Sequence, residues 1–279
     1  MNKTKTKLGI ILALSVMVLI ISGLAIAKPN TERVSATNNN GGNVVAIPAH
    51  AVAVADNVFS LGTATDADGR IIEGFMFIDR KKEDVKPQGV GGSKRGPTCY
   101  SFLASGAKWK TVEPWVVNPA NTQGLSDSFV FGNLAADIQK WEDASLTNII
   151  GNGNTTSATL VADTQSPDNI NEVYFGSISD PGVIAVTIVW GIFSGPPQSR
   201  YLVEWDQVYD QVDYGWSSIG EAGKMDFENI ATHELGHSVG MGHPSNDCTE
   251  ETMYAYADFG ETKKRSLNAG DIEGINKLY

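Results

Sequence analysis

Basic residues are scarce over most of this chain. Residues 99–279 contain 9 Lys and Arg against 24 Asp and Glu, whereas residues 1–98 contain 12 against 8, and the whole chain has a net charge of −11. An acidic surface repels the phosphates of nucleic acids and anionic lipids, so we exclude nucleic acid as a partner. The acidic charge suits a cationic or unfolded protein substrate, bound calcium, or simply a solvated surface.

Cysteine is also scarce, and the sequence contains no internal repeat. The two cysteines, Cys99 and Cys248, leave two alternatives: a single disulfide between them, or a free Cys99 thiol that binds a metal ion in a latent form of the protein. Without a repeat, a chain of 279 residues that is 42% hydrophobic predicts one good-sized domain with a packed core and a smaller appendage.

Charged residues are missing from one long stretch near the N-terminus. Residues 8–27 form an uncharged, mostly apolar run that follows three lysines and ends in Ala-Ile-Ala. This order is typical of a secretory signal peptide and its cleavage site, although the run is close to the length that spans a bilayer. We predict that residues 1–27 are a cleaved signal peptide or an uncleaved membrane anchor, and that the remainder lies outside the cytoplasm.

Residues 28–95 are predicted to be a linker or a propeptide. Residues 28–58 are rich in Asn, Ala, Gly and Thr, which is typical of a linker, whereas residues 71–79 have the composition of a strand. The basic pair Lys94-Arg95 would be the processing point of a removable propeptide. The alternative is a tether that adds a little structure of its own. The main domain is predicted to begin at residue 96.

Residues 96–279 are predicted to mix helices and strands, which gives an α+β domain. One helix should begin at Ser126 or Asp127, because apolar side chains recur at helical spacing beyond these capping residues. Two further helices are predicted near residues 227–239 and 268–278. Strands rich in Val, Ile, Tyr, Phe and Trp are predicted at residues 112–118, 170–178, 183–193 and 200–210.

Histidine is scarce too, and three of the four histidines lie in one motif. Residues 233–243 read His-Glu-Leu-Gly-His-Ser-Val-Gly-Met-Gly-His. On a helix, His233 and His237 lie one turn apart on the same face, within reach of one metal ion. Gly240 can adopt a positive φ and end the helix sharply, so that His243 supplies a third ligand. Three protein ligands and one open position are typical of a catalytic zinc ion.

Glu234 is predicted to be the general base of this site. It neighbours His233 on the helix but is poorly placed to bind the metal itself. Zinc lowers the pKa of a bound water from about 15.7 to about 7, and a neighbouring carboxylate can take the proton as the water attacks a peptide carbonyl. The motif therefore predicts metal-assisted hydrolysis of peptide bonds, because chance matches to its full length are rare.

These residues resemble the extended zinc signature of the metzincin peptidases, and of the matrixins in particular. Glu251-Thr252-Met253-Tyr254 resembles the family's Met-turn, whose methionine forms an apolar floor under the zinc. Trp141-Glu142 resembles the end of the family's first long helix, and residues 267–279 resemble its C-terminal helix. The resemblance implies a zincin fold: a twisted, mixed but mostly parallel sheet with one antiparallel edge strand, two long helices and a small C-terminal subdomain. An extended substrate would then add to the edge strand.

The chain also departs from the matrixin pattern. Animal matrixins use further histidines for a structural zinc, and this chain has none to spare, so we predict a single zinc ion. Calcium bound by carboxylates such as Asp163, Asp168 or Asp180 could take over the stabilising role. Tyr254-Ala255-Tyr256 stands where the family has a Pro-containing pocket wall. Tyr256 matches a tyrosine that other metzincins place near zinc, and it either assists the oxyanion or packs in the pocket wall.

Taken with the resemblance, the sequence predicts an extracytoplasmic zinc metalloendopeptidase that acts on proteins or peptides. Matrixin propeptides use a cysteine on zinc to enforce latency, but the residues around Cys99 resemble that pattern only faintly, which favours the disulfide to Cys248. The alternative function is a non-catalytic surface protein that keeps zinc to stabilise a protease-like fold or to bind a partner. The intact Glu234 favours the enzyme, since a structural zinc site needs no base.

Overall fold

The computed structural model describes residues 44–82 and 98–279, so the predicted signal peptide or anchor and the pair Lys94-Arg95 lie outside the described residues. The helices are α1 (Asp127–Ser145), α2 (Phe227–Ser238) and α3 (Ala269–Leu278), with short 3₁₀ helices at Pro197–Ser199 and Lys263–Arg265. The strands are β1 (Val44–Val45), β2 (Val52–Ala55), β3 (Val58–Thr65), β4 (Ile71–Lys81), β5 (Ser101–Phe102), β6 (Glu113–Asn118), β7 (Ile150–Thr155), β8 (Asn171–Ile178), β9 (Val183–Ile192), β10 (Tyr201–Asp210), β11 (Trp216–Ser217), β12 (Met225–Asp226), β13 (Met241–Gly242) and β14 (Tyr256–Ala257). Over the two described ranges, no helix is both long and apolar enough to cross a membrane.

Helix α1 begins where its capping residue and apolar spacing predict. The side chain of Ser126 accepts a hydrogen bond from Phe129 N at the N-terminus, and Leu146 ends the helix in a left-handed conformation with φ of 55°. The predicted apolar positions, from Val130 to Trp141, are buried along the face that packs against α2. The predicted start of this helix is therefore confirmed.

The main sheet is mixed, as predicted for the α+β class. Its strands follow the order β2-β3-β4-β9-β10-β8-β6-β7, with β1 added to β8 and β14 added to β4. The pairs β10/β8, β8/β6 and β6/β7 are parallel. In the other half of the sheet, the pairs β2/β3, β3/β4, β4/β9 and β9/β10 are antiparallel.

Strand β9 is not the edge strand that the resemblance implies. Strand β4, from the part of the chain predicted to be a linker or propeptide, pairs with it antiparallel, with Phe77 opposite Thr187 and Asp79 opposite Ala185. The physical reason is burial: every residue of β9 except Ile192 is buried, and a strand that is apolar on both faces has to be covered on both faces and along its edge.

The sheet separates two hydrophobic cores. The larger one lies between the sheet and helices α1 and α2, with residues such as Trp141 and Leu235 at its centre. The smaller one lies on the opposite face, where Ile72, Met76 and Ile78 of β4 pack with residues of β9 such as Trp190. Strand β4 thus contributes to both cores through its two faces, because alternate side chains of a strand point to opposite sides.

Two stretches form strands that the sequence does not predict. Residues 151–156 are rich in Gly, Asn and Thr, a composition typical of turns, yet they overlap β7, which pairs with β6. A Cβ at Gly153 would overlap the ring of Trp115, so the missing side chain is what lets that ring lie across the strand. Strands β1 and β2 fall in residues 28–58, the stretch interpreted as a linker.

Candidate metal centre

Helix α2 carries two of the three candidate ligands. Its N-cap is Asp226, whose carboxylate accepts a hydrogen bond from Asn229 N at 3.0 Å. Trp141 anchors it to α1, because its indole Nε1 donates to Thr232 O at 3.0 Å. Every residue of α2 except Glu228 is buried, so the helix is a rigid base for the side chains it presents.

Gly240 reverses the chain directly after α2. Its φ is +102°, a conformation that side chains with a Cβ rarely adopt, and a Cβ at this position would lie 2.9 Å from Ala107 O. The amide of Gly240 donates to His237 O at 2.9 Å, and the next residues form β13, which pairs with β5. This reversal brings His243 back towards α2.

The structure brings the three imidazoles to one point. His243 Nε2 lies 3.1 Å from His237 Nε2 and 3.3 Å from His233 Nε2. Nitrogen ligands at 2.0–2.1 Å from a tetrahedral zinc ion would be about 3.3 Å apart. The three nitrogens are therefore spaced as ligands of a single ion, and the histidines form a group that could hold a metal.

The protonation of the imidazoles also fits a metal. His233 Nδ1 lies 2.6 Å from Thr252 O, and His237 Nδ1 lies 2.9 Å from Met241 O. A carbonyl oxygen only accepts, so both Nδ1 atoms carry the proton and both Nε2 atoms keep a free lone pair. Burial lowers the pKa of all three histidines, to about 3 for His237, which keeps them neutral as metal ligands must be.

Glu234 lies beside the histidines, and its carboxylate is bound by a residue of the sheet. Its Oε2 accepts a hydrogen bond of 2.5 Å from Thr187 Oγ1 of β9, while its Oε1 has no hydrogen-bond partner among the residues that the structure describes. Burial raises its pKa well above the ordinary value, and the charge of Asp79 raises it further, while the hydrogen bond from Thr187 opposes the shift. Thr187 is a residue that sequence reasoning missed; a polar residue inside an apolar strand is the signal.

Met253 lies under α2 at the level of the histidines. A Cβ on Gly236 would overlap Met253 Sδ, so the glycine of the motif leaves the room that the thioether fills. The Met253 turn is braced by Asp271 of α3, whose carboxylate accepts from Thr252 N at 2.7 Å and from Met253 N at 3.1 Å. Asp271 also belongs to a capping box with Asn268, a pattern that the sequence displays.

The remaining predicted site residues lie around this centre. Cys99 and Cys248 form a disulfide, so Cys99 is not a thiol ligand of the metal. Tyr256 belongs to β14, which pairs in parallel with Arg80 and Lys81 of β4. Its ring packs 5.6 Å from that of Tyr254, centroid to centroid.

Side chains from β4 reach the metal centre, which the sequence does not predict. The ring of Phe77 stacks on the imidazole of His237, with centroids 4.2 Å apart. The carboxylate of Asp79 lies within 4.8 Å of a ring nitrogen of His233 and of the carboxylate of Glu234. Burial raises the pKa of Asp79 to about 6 against the opposing charge of the buried Lys264, whose Nζ lies 4.0 Å from Oδ2.

A second cluster of carboxylates lies on the other side of the sheet. Asp163, Glu204 and Asp206 offer oxygens within 4.8 Å of one another. Burial, followed by the charge of Asp163, raises the pKa of Glu204 to about 9. Burial and the charge of Glu204 likewise raise the pKa of Asp206. Of the predicted calcium ligands, Asp163 belongs to this cluster, whereas Asp180 forms an ion pair with Arg80 at 3.0 Å. The acidic pair at alternate positions of β10 is the signal that sequence reasoning missed.

Comparison with known proteins places this arrangement in a family. The family model described as Matrixin matches residues 114–279, which is more than half of the chain. Matrilysin of Rattus norvegicus is 40% identical over 74 residues, 26% of this chain and 26% of that protein. Metalloendoproteinase 1-MMP of Arabidopsis thaliana is 41% identical over 56 residues, 20% of this chain and 14% of that protein.

These matches cover a limited share of each relative. The chain spans about a quarter of the length of the matrilysin it matches. Among solved structures, metalloproteinase-II from Bacteroides fragilis has a TM-score of 0.32 at 12% identity over 80% of this chain and 79% of that one. At that level of likeness, the family assignment rests on the match to residues 114–279.

Proposed function

The chain belongs to the matrixin family of peptidases, and on that premise we propose that it is a zinc-dependent endopeptidase that hydrolyses peptide bonds of proteins outside the cytoplasm. The observation that carries the proposal is the spacing of 3.1 and 3.3 Å between histidine Nε2 atoms beside the buried carboxylate of Glu234. Three neutral imidazoles and a carboxylate that is not needed as a ligand are the parts of a hydrolytic metal site.

The three histidines are proposed to bind the metal ion, and Glu234 is proposed to transfer protons. His233, His237 and His243 would hold the ion, which supplies a Lewis acid that polarises the peptide carbonyl and lowers the pKa of water. Glu234 takes a proton from the attacking water on its Oε1 and returns it to the leaving amine. Thr187 holds the other oxygen of Glu234 and so orients the carboxylate for both transfers.

Met253 and Tyr256 are proposed to support the site. The thioether of Met253, fully buried beside Gly236, would form the apolar floor that fixes the histidine-bearing helix from below. Tyr256 is partly exposed in β14 and packs against Tyr254, which supports a place in the pocket wall rather than a direct role in the reaction.

Action outside the cytoplasm is supported by two independent features. Three lysines, an apolar run over residues 8–27 and an Ala-Ile-Ala ending precede the domain, as in exported proteins. Cys99 and Cys248 form a disulfide, and such bonds persist in oxidising compartments. We propose proteins or peptides of that compartment as substrates.

We also propose a calcium ion at the cluster of Asp163, Glu204 and Asp206. Calcium takes six to eight oxygen ligands at 2.3–2.6 Å, and carboxylate oxygens within 4.8 Å of one another fit around one such ion. Glu204 is fully buried, and its Oε1 has no hydrogen-bond partner in the described part of the chain. A divalent cation would offset the mutual repulsion of these carboxylates.

The calcium site is tested by thermal unfolding of the chain at fixed pH with a calcium-selective chelator and with added calcium. We expect calcium to raise the Tm of the wild type and to leave that of an E204Q/D206N variant unchanged, because an ion that binds only the folded state stabilises it. A wild-type Tm that does not respond to calcium would contradict the site.

The enzymatic function is tested by incubating the protein with a peptide library, with and without a zinc chelator. Both the intact chain and a chain cleaved between residues 82 and 98 are used. We expect the cleaved protein to cut peptides, the chelator to stop it, and added zinc to restore it. If the zinc-loaded protein cuts no peptide in either form, the alternative of a non-catalytic zinc-stabilised protein is favoured.

A further inference from the structure

Lys264 is a fully buried lysine beside the metal centre, and we infer that it selects peptide substrates that place a glutamate side chain against it. This inference rests on the proposed function, because it names the class of peptide that the same site takes. Lys264 would be a specificity residue, which touches a side chain of the substrate and takes no part in proton transfer.

Lys264 is fixed next to the turn of α2 that carries His233. Its main-chain amide donates to Asn229 Oδ1 at 2.8 Å, and Asn229 lies one turn before His233 on the helix. Its Nζ donates to Tyr254 O at 2.6 Å, in the segment that leads to β14. The two contacts hold the ammonium group between α2 and that segment.

The ammonium group of Lys264 has little negative charge around it. Within the two described ranges, the single carboxylate within 4.0 Å of Nζ is that of Asp79 on β4. The carbonyl oxygen of Tyr254 carries only a partial charge, and a buried cation is costly unless an anion pairs with it. Lys264 is therefore placed to accept a carboxylate from a chain that passes the metal centre.

The pairing of β4 marks the path that an extended chain takes past the metal centre. Strand β4 lies antiparallel to β9 and parallel to β14, with Asp79 opposite Ala185 and Arg80 opposite Tyr256. An extended substrate can form the same main-chain hydrogen bonds, because these do not depend on its side chains. The peptide residue that lies opposite Ala185 would then point its side chain at Lys264.

The same path places the selected side chain after the metal centre in the direction of the chain. The ring of Phe77 stacks on His237, with centroids 4.2 Å apart. The carboxylate of Asp79 lies within 4.8 Å of a ring nitrogen of His233 and of the carboxylate of Glu234. Residues 77 and 79 thus flank the point on which the imidazoles converge. The selected side chain therefore belongs to the first or second residue after the bond that is cut.

The distance between Asp79 and Lys264 favours glutamate over aspartate. Nζ lies 4.0 Å from Oδ2, and neither carboxylate oxygen of Asp79 has a hydrogen-bond partner among the described residues. A hydrogen bond between an ammonium and a carboxylate measures about 2.7–2.9 Å, so the Asp79 side chain is roughly 1 Å too short. Glutamate has one more carbon–carbon bond, about 1.5 Å long, and can close that gap.

Two other carboxylates near Asp79 leave the charge of Lys264 available. The charges of Glu234 and Glu261 also act on Asp79, but neither carboxylate lies within 4.0 Å of the Lys264 ammonium. Glu261 lies 3.8 Å from Nζ of Lys263, which offsets its charge. Glu234 stands beside the ligands of a divalent cation, whose charge offsets that of the carboxylate when the ion is bound. The position by Lys264 thus stays favourable for one incoming carboxylate.

The test compares peptide hydroxamates that differ in one side chain, which is glutamate, glutamine or aspartate. The varied residue is the first after the zinc-binding hydroxamate in one series and the second in another. The probes are titrated into zinc-loaded protein, both intact and cleaved between residues 82 and 98. Because β4 competes equally with all probes, the ratio of their dissociation constants does not depend on it. In one series we expect glutamate to bind at least about 10-fold more tightly than glutamine, since hydrogen bonds to charged groups are the stronger ones, and aspartate to gain less.

Variants assign the preference to one lysine. Lys264→Met keeps an unbranched side chain without the charge and should remove the preference for glutamate, whereas Lys264→Arg should keep it. Lys263→Met is the matched control, because it makes the same exchange one residue away, where the side chain is 32% exposed, and should leave the preference unchanged. If the Lys264 variants do not fold, the ratio measured on the wild type still decides.

The outcomes separate the inference from the proposed function. If the wild type binds the glutamate probe no more tightly than the glutamine probe in either series, or if Lys264→Met keeps the preference, the inference is wrong whatever the activity. If the preference is present and depends on Lys264 but no peptide is cut, the inference stands and the proposed function is wrong. If peptides are cut with glutamate enriched after the cut bond, both are supported.

Discussion

Thr187 Oγ1 donates a hydrogen bond of 2.5 Å to Glu234 Oε2, and this bond ties strand β9 to helix α2 at the metal centre. Both residues are fully buried, so water does not compete for the bond. One oxygen of Glu234 is therefore held by the sheet, and the other, Oε1, has no hydrogen-bond partner among the described residues. The orientation of the proposed base depends on the sheet as well as on the helix.

Replacing Glu234 by Ala is predicted to abolish peptide cleavage while leaving zinc bound. A general base contributes roughly 10²–10⁴-fold to the rate, and the three imidazoles do not depend on it for their geometry. Activity is measured on cleaved protein with a fluorogenic peptide, and zinc by atomic absorption on the same sample. Persistent cleavage with full zinc content would show that another group is the base.

Replacing Thr187 by Val is predicted to lower activity by about 10-fold, because the buried carboxylate of Glu234 loses the hydrogen bond that it accepts from the Thr187 hydroxyl. The hydrogen bond from Thr187 lowers the pKa of Glu234, against the upward shift from burial. Its loss should raise that pKa further, so the acidic limb of the pH–rate profile should move to higher pH. The profile of kcat/KM against pH measures this shift.

A Thr187→Ser variant is the matched control, since it keeps the hydroxyl. Its acidic limb should stay near that of the wild type. A limb that moves equally in both variants would point to a packing effect of the lost methyl group and would contradict the hydrogen-bond explanation.

The parts of the fold set by local sequence could be predicted. Ser126 and the apolar residues at helical spacing beyond it predict helix α1, and a nearly unbroken apolar run predicts β9. The convergence of His233, His237 and His243 could be predicted, because the spacing of the motif places them on one helix and on the reversal that follows it. These features depend on residues close together in the chain.

The pairing of distant strands could not be predicted in the same way. Strand β4 could be recognised as a strand, but nothing in residues 71–79 says that its partner is β9, more than 100 positions away. Phe77, Asp79 and Lys264 reach the metal centre only through that pairing and through the 3₁₀ helix at Lys263–Arg265. Strand β7 could not be predicted for another reason. Its Gly and Asn residues have a low propensity for strands, and the pairing with β6 overrides that propensity.

Replacing Gly240 by Ala is predicted to weaken zinc binding. Its φ of +102° and the 2.9 Å approach of Ala107 O to a Cβ would cost on the order of 1–3 kcal/mol, which the chain relieves by shifting the turn that carries His243. Competition with a chromogenic zinc chelator measures the affinity. Gly124→Ala is the control: Gly124 has φ of +79° and no atom within 4 Å of a Cβ, so it should lose stability without losing zinc affinity.

An equal loss of zinc affinity in both variants would contradict this explanation, because the effect would then follow from general destabilisation. A third imidazole that is displaced should also alter the d–d spectrum of the cobalt-substituted protein in the Gly240→Ala variant. The Gly124→Ala spectrum should match the wild type.

Removing the Cys99–Cys248 disulfide is predicted to destabilise the domain while leaving the metal centre formed. The bond closes a separation of 149 residues, for which the chain-entropy model gives about 5 kcal/mol, and losses of 2–5 kcal/mol are typical. It joins the segment before β5 to the loop after His243, and Tyr100 and the backbone of Cys99 pack directly against glycines of α3. A C99S/C248S variant should therefore unfold at lower urea concentration with an unchanged zinc affinity at low denaturant. Because β5 pairs with β13 next to His243, a loss of zinc affinity that precedes unfolding would show that the bond positions the third ligand as well.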